Sequence, residues 1–354
     1  MSLKDISELT GVSVSTVGRI LRDPKHKCSE EIRRKVLEAA RSTGYVPNHA
    51  AKSLRSGKTG AERLFSVDIF LARSESESAD PFYDELLMLT EKELRSRNCV
   101  IAGVRQFSEM TSDNFIFDTE KKISSYFSEK STRADGLVII GKCTSRVLRL
   151  LKKHTKNIAV ISREHSGDEA DEVICDGKRL AVTAVEHLLS LGHTRIGYVG
   201  DCHSEARFAG YQSALVRAGL TPDIDHIFDT SPNEQNGLLA AEYFTKLSDP
   251  PTAVYCANDI LAVGILRALH KRRVRTWQPS VISCDDIEQA QFTSPMLTTI
   301  ALPKEEMAHF AVMLLLDRIE GGHRNASRLE LQGTLMIRES CRPLRELTEP
   351  EYYI

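Results

Sequence analysis

Leu3-Lys4-Asp5-Ile6-Ser7-Glu8-Leu9-Thr10-Gly11-Val12-Ser13-Val14-Ser15-Thr16-Val17-Gly18-Arg19-Ile20-Leu21 opens the chain with two helical periods and a turn between them. Leu3, Ile6 and Leu9 share one face of a segment that stops at Gly11, as a helix ended by a glycine does. Ser13 then caps a second helix over 14–21, whose Val17, Ile20 and Leu21 pack back on the first. Two short helices joined by a glycine-bearing turn form a helix-turn-helix. With the apolar positions committed inward, Val14, Ser15, Thr16, Gly18, Arg19 and Arg22 face outward. Such a helix enters a DNA major groove with its first residues at base edges, and Arg19 has the planar fork that pairs with guanine. Gly18 costs about 1 kcal/mol against Ala inside a helix, which close approach to a phosphate backbone would explain. Taken alone, the segment also fits a plain helical hairpin.

A third helix follows the turn at Pro24. Ser29 caps it, Glu30 and Glu31 suit its positive end, Ile32, Val36, Leu37 and Ala40 form the inner stripe, and Gly44 stops it. Pro47-Asn48-His49-Ala50-Ala51-Lys52-Ser53-Leu54-Arg55-Ser56-Gly57 reads as a further helix of about two turns, too short to stand alone because nucleation is costly and few hydrogen bonds follow. It needs a partner to fold. Its small face at Ala50 and Ala51 lets two copies approach closely, and the isolated Leu54 is the kind of wedge that unstacks a base step in the minor groove.

These residues carry a specific resemblance. The run from Leu3 through Val17, then Arg19, the Gly44-Tyr45-x-Pro47-Asn48 turn and the Asn48-x-x-Ala51-x-x-Leu54 segment resemble the head of the lac/galactose repressor family over nearly all of the first 58 residues. The resemblance implies that the second helix reads half of a palindromic operator, and that paired hinge helices fold on DNA with a leucine from each in the central step. Carried over by position, Val14, Ser15 and Arg19 read bases and Leu54 is the wedge. Ser13, Thr16, Asn48 and Ala51 complete the DNA-contacting set. Gly18 departs from the serine usual in that family, which removes one phosphate contact.

Charge follows the same division. The 354 residues sum to −2, but residues 1–60 hold twelve Lys and Arg against six Asp and Glu, so a head of +6 precedes a remainder of −8. A basic module on an acidic body directs a polyanion to one end. The apolar runs, such as 312–316, fall far short of the roughly 20 residues that span a bilayer, and the start of the chain has no signal pattern. Eight cysteines without a CxxC pair argue against a zinc site or a dense disulfide framework, so a reducing cytoplasm is the expected setting.

Beyond Gly60, apolar strand-like runs at 64–71, 99–104, 136–140, 158–161, 195–199, 253–256 and 281–284 alternate with helical stretches at 83–97, 180–191, 206–218, 235–247, 260–269 and 305–319. Alternation of this kind predicts parallel sheets wrapped by helices, and nearly 300 residues predict two such units. The expected fold is thus an all-α helix-turn-helix head (1–46), a hinge helix and linker (47–60), a two-lobed α/β body of doubly wound parallel sheets (61–345) and a short tail (346–354). Ligands in such sheets bind at strand carboxyl ends, which draws attention to Arg163, Arg207, Asn258, Asp259, Asp285 and Asp286. Carboxylates, amides and guanidinium groups suit a polyhydroxylated ligand. Asp259 and Asp286 fit equally well as helix caps.

The resemblance continues, more loosely, through His187-Leu188-Leu189-x-Leu191-Gly192-His193-x-Arg195-Ile196, Arg207-Phe208-Ala209-Gly210-Tyr211, Ala257-Asn258-Asp259-x-Leu261-Ala262-x-Gly264 and Phe292-x-x-Pro295-x-Leu297-Thr298-Thr299-Ile300, which are similar to that family's periplasmic-binding-protein-like core. It implies an effector held by Arg207, Asn258 and Asp285, with Arg163 beside them and an aromatic wall, Phe82 and Tyr83, from the Asp80-Pro81-Phe82-Tyr83 loop. The loop 201–206 is shorter than usual, and Cys175 stands where an Asp is common. The body is closer to sugar-responsive members than to the purine-responsive branch.

The function expected on these grounds is a transcriptional repressor that binds a palindromic operator as a homodimer, is released by a small carbohydrate such as a galactoside, and needs no cofactor or metal. One small head buries too little surface for selective binding, so a two-fold dimer follows. A catabolite-control regulator whose co-effector is a phosphoprotein is the alternative. An enzyme acting on carbohydrate is disfavoured: Asp285 and Asp286, adjacent on a strand end, point to opposite faces, and GxSxG, Walker and HExxH patterns are absent. His187 and His193 are expected to cap or pack, Trp277 to lie in a solvated basic loop, and the tail lacks the heptads of a tetramer-forming coil.

Overall fold

The computed structural model describes residues 3–13, 16–17, 20, 28–29, 32–33, 35–36, 39, 64–73, 80–111, 114, 116–129, 133–203, 205–272 and 277–344. Two compact units divide between Leu64 and Phe65. In the first, helix α1 (Leu3–Thr10) ends at Gly11, whose φ of +67° is left-handed and whose N–H returns to Ser7 O at 2.9 Å. Ser13 caps the next helix, its hydroxyl accepting from Thr16 N at 3.3 Å, and Ser29 does the same for Ile32 N at 3.4 Å. Ile6, Val17, Ile20 and Val36 are buried together against Val12, Cys28 and Ala39.

Two expected core positions are corrected. Leu9 is 65% exposed, because three-residue steps drift about 60° per step around an α-helix, and after Ile6 the stripe has turned away from the core. Ile32, at the start of its helix, is exposed as well, whereas Val36 is buried. Leu21, Leu37 and Ala40 lie outside the described residues, as do Val14, Ser15, Arg19, Asn48, Ala51 and Leu54.

The second unit holds two six-stranded sheets. The first takes β1 (Ser66–Ala72), β2 (Val100–Gln106), β3 (Gly136–Gly141), β4 (Ile158–Ser162), β5 (Asp171–Ile174) and β11 (Arg328–Glu330), in the order β11-β5-β4-β3-β1-β2. The second takes β6 (Ile196–Gly200), β7 (Ile227–Asp229), β8 (Ala253–Cys256), β9 (Ser280–Asp285), β10 (Thr298–Ala301) and β12 (Thr334–Met336), in the order β12-β10-β9-β8-β6-β7. The pairings are parallel except that β12 runs antiparallel to β10, a departure from the all-parallel expectation at one edge. Val67, Ile69 and Leu71 of β1 face one core while Phe70 and Ala72 face another, so the strand is buried on both sides and its apolar run is interrupted by the buried Asp68.

Helices α2 (Pro81–Ser96) and α9 (Lys304–Glu320) cover one face of the first sheet, and α3 (Ile116–Glu129) and α4 (Ser145–Lys152) cover the other. Around the second sheet lie the pairs α5 (Gly177–Ser190) with α6 (Ala206–Arg217) and α7 (Glu234–Thr245) with α8 (Asp259–Arg272). The chain crosses between sheets after β5, between β10 and α9, and between β11 and β12. The seven expected strands and six expected helices are present; β5, β7, β10, β11, β12, α3 and α4 are additional. Trp277 is corrected from a solvated residue to a core one: it is 5% exposed, packs on Phe244 and donates its indole N–H to Pro251 O at 2.7 Å. His193 is buried between Thr252, Ser280 and Arg342 O, each at 3.0 Å. Among the described residues no helix is long and apolar enough to cross a membrane.

Candidate ligand cleft

Both sheets turn their strand carboxyl ends toward one cavity of about 390 Å³. Its aromatic wall is set by a helix start. Asp80 accepts from Phe82 N at 3.1 Å and Pro81 takes the first helical position, so Phe82 and Tyr83 occupy the first turn of α2. At the end of β3, Gly141 has φ +109°, and a Cβ there would lie 2.2 Å from Ala72 O and 3.0 Å from the Tyr83 ring, so only glycine admits that ring.

Arg163 follows β4 and crosses the cleft. Its Nη1 donates to both carboxylate oxygens of Asp285, at 2.8 and 2.9 Å, while the guanidinium lies 4.7 Å from the Phe82 ring centre and 5.8 Å from that of Tyr83. Burial and nearby Arg207 oppose its charge, but Asp285 outweighs them and holds the Arg163 pKa above its ordinary value. Two further links join the lobes: Asn258 Nδ2 donates to Asp80 Oδ2 at 3.3 Å, and Ala206 N donates to Glu164 Oε1 at 2.9 Å. Arg207, 3% exposed, donates Nε to Glu205 Oε2 at 2.7 Å, Nη2 to the other carboxylate oxygen and Nη1 to Ala257 O. Lys142 pairs with Glu164 at 2.8 Å.

Of the expected effector residues, Phe82, Tyr83, Arg163 and Arg207 line the cavity. Asn258 and Asp285 stand behind the lining, 1% and 0% exposed: Asp285 reaches it through Arg163, while Asn258 bonds to Asp80, the cap of the helix that carries Phe82 and Tyr83. Lys142, Glu164, Asp201, Glu205, Asp229, Thr230 and Ser231 also line it and were not foreseen. The strand-end rule would have found Lys142 after β3, and Asp229 had the three-residue β7 been recognised.

The floor is held by unusual backbone. Asp285 and Asp286 have φ +115° and +47°, conformations costing of order 1–3 kcal/mol each outside glycine. Lys304 Nζ donates to both of their carbonyls at 3.1 Å, and Arg338 Nη2 donates to Asp286 Oδ1 at 2.7 Å. Asp286 is therefore no helix cap, and its carboxylate serves a different partner from that of Asp285. Asp259 is also no simple cap: fully buried, it accepts from Ser283 Oγ and Thr299 Oγ1 at 2.6 Å and from Ile287 N at 2.8 Å. Burial and the neighbouring Asp285 push its pKa up to about 7 against those three donors. Asn258 is the residue that caps α8, accepting from Leu261 N at 3.4 Å. Cys175, at the first crossing between lobes, is buried and its thiol is pushed up to about 12 by burial and by Asp285, so it is chemically quiet.

A helix-turn-helix unit and a two-lobed body with a cleft at its strand ends define the class of ligand-sensing DNA-binding regulators. Comparison with known proteins names the family. Residues 2–48 match the model of bacterial regulatory proteins of the lacI family, and residues 185–341 match the periplasmic binding protein-like domain. The chain belongs to the lacI family of transcriptional regulators. It is 28% identical to the transcriptional repressor CytR of Escherichia coli strain K12, over 97% of each chain. It is 27% identical to PurR of Aliivibrio salmonicida and to the ribose operon repressor of Haemophilus influenzae, over 97% of this chain and 99% of each relative. Among solved structures, a CelR–cellobiose complex matches at TM-score 0.67 and 23% identity, over 96% of this chain and all of that one. A LacI-family regulator from Enterococcus faecium with bound ribose matches at TM-score 0.65 and 25% identity, over 79% and 100%. Overall identity does not separate the expected sugar-responsive branch from the others.

Proposed function

We propose that the protein is a repressor that binds a palindromic operator as a homodimer and is released by a small carbohydrate. In this reading residues 1–46 read DNA through Ser13, Val14, Ser15, Thr16 and Arg19, residues 47–60 form the hinge with Asn48, Ala51 and Leu54 on DNA, and residues 61–345 sense the ligand and dimerise. The observation that carries the sensing half is the cleft itself: an aromatic wall of Phe82 and Tyr83 faces a ring of carboxylates, hydroxyls and cations. Adjacent sugar hydroxyls donate to carboxylates and accept from cationic N–H groups, while the apolar faces of the ring rest on aromatic side chains. The bound cellobiose and ribose in the similar structures support this choice of ligand class. A galactoside or a related mono- or disaccharide suits the cavity.

Coupling follows from the lobe-to-lobe links. A ligand seated against Arg163 and Arg207 changes the contacts that join the sheets, and two conformations with different operator affinity are then coupled, typically by 1–3 kcal/mol. The test is a thermal-shift screen of mono- and disaccharides on the parent and on Arg207→Ala, followed by operator binding with each hit. A sugar that raises the melting temperature of the parent alone and weakens operator binding supports the proposal. Unchanged operator binding at saturating sugar would sink the release mechanism.

A further inference from the structure

The cleft's charges are already matched from within the chain, and this bears on what it admits. Among the described residues Lys142, Arg163 and Arg207 are the Lys and Arg side chains in the lining, and each has a built-in carboxylate: Glu164, Asp285 and Glu205 respectively. For Arg207 the Glu205 carboxylate takes the two-nitrogen fork, Nε and Nη2, that Arg otherwise offers to a phosphate, while Arg163 gives both carboxylate oxygens of Asp285 a hydrogen bond from Nη1. Arg163 also presents its faces to Phe82 and Tyr83.

Helix N-termini, the other common anion receptors, are filled in the same way. Asp80 takes the Phe82 N–H of α2, Asp176 takes the Lys178 N–H of α5, and Glu164 takes the Ala206 N–H of α6. Asp201 and Asp229 add two more carboxylates to the lining; Asp229 accepts from Cys202 N at 2.9 Å and pairs with His203. Among the described residues the lining therefore holds four carboxylates against three cations, with Asp285 a fifth behind Arg163.

We infer that the cleft selects an uncharged, unphosphorylated carbohydrate and rejects sugar phosphates and sugar acids. This rests on the carbohydrate reading above and narrows it. A phosphate ester entering the cleft meets a net negative wall and must displace a carboxylate that is covalently tethered beside its cation. A neutral hydroxyl meets no such barrier, since it can donate to a carboxylate that keeps its own cation. Glu164 is the sharpest discriminator, because one carboxylate serves both the Lys142 ammonium and the start of α6.

The experiment uses the full chain and matched pairs: glucose, galactose, ribose and cellobiose against glucose 6-phosphate, galactose 6-phosphate, ribose 5-phosphate and cellobiose 6-phosphate, with inorganic phosphate as a further probe. Binding is read by thermal shift and titration calorimetry. The expected result is that at least one neutral sugar binds and its phosphate ester binds at least about tenfold more weakly. Glu164→Gln and Glu205→Gln should each narrow that gap, and if Glu205→Gln does not fold, Glu164→Gln carries the comparison. A phosphate ester that binds the parent as tightly as its neutral partner overturns the inference while leaving the carbohydrate reading intact. A gap unchanged in the folded variants overturns it as well. Silence from both series overturns the carbohydrate reading, and the inference falls with it.

Discussion

Asp285→Asn isolates the ion pair on which the cleft is built. Asp285 is fully buried and Arg163 nearly so, and the substitution leaves the guanidinium against a neutral amide without its counter-charge. Removing one partner of a buried pair costs about 3–5 kcal/mol, most of it the desolvation of the charge left behind. Arg163→Met should cost a similar amount from the other side, because it strands the buried carboxylate. The double variant Arg163→Met/Asp285→Asn holds no buried charge at this position and should lie closer to the parent than either single change, a coupling of at least about 1 kcal/mol. Urea unfolding followed by fluorescence measures this in the body alone, because Trp277 is the single tryptophan of the chain and is packed under the second sheet. Single variants within about 0.5 kcal/mol of the parent, or strictly additive losses, would refute the assignment of a buried cross-lobe pair.

The Asp259 carboxyl, raised to about 7 in the fold from 3.8, makes stability depend on pH. Its contribution is complete below the lower value and is lost as pH rises through the higher, a span worth about 4 kcal/mol. Asp259→Asn should flatten the parent's decline between pH 4 and 7, and parallel profiles would remove that role. Gly237 and Gly264 let α7 and α8 cross closely; a Cβ on Gly237 would lie 2.1 Å from Leu261 O and 2.9 Å from Gly264 Cα. Gly237→Ala should therefore cost about 1–3 kcal/mol, read as a lower urea midpoint, and an unchanged midpoint would contradict the close crossing. On DNA, Leu54→Ala should weaken specific operator binding far more than non-specific binding, whereas Lys52→Ala should mainly reduce the salt slope. Equal losses on both kinds of DNA would remove the wedge. Arg19→Ala should relax base preference at one symmetric pair of operator positions, as read by binding to a panel of operator variants.

How far the fold is legible depends on how much of each element's burial shows as pattern. β1, β3 and β4 are buried on both faces, so their apolar runs stand out. β7, β11 and β12 have three residues each and lie at sheet edges, too short for any alternation to register. Trp277 was misjudged for the opposite reason: its basic neighbours set the local pattern, while its burial comes from Phe244 and Pro251, 33 and 26 residues earlier. Leu9 shows the limit of a repeat of three, which keeps to a helix face for one step and leaves it by the second.

In the cleft, strand ends supply addresses without supplying partners. Arg163, Arg207, Asn258 and Asp285 are each legible as polar residues after strands, and on that basis each looks like a ligand contact. Their chemistry is decided by pairings across 122 residues for Arg163 with Asp285 and 178 for Asn258 with Asp80, which no local spacing encodes. A lone arginine at a strand end would mark an anion site. The same arginine with a buried carboxylate already bonded to its guanidinium marks a site where the ligand must do without charge, and a single buried partner is enough to reverse the inference. Ligand class in a two-lobed sensor is therefore read from which charges remain unmatched once the lobes have met, rather than from which charged residues the strand ends present.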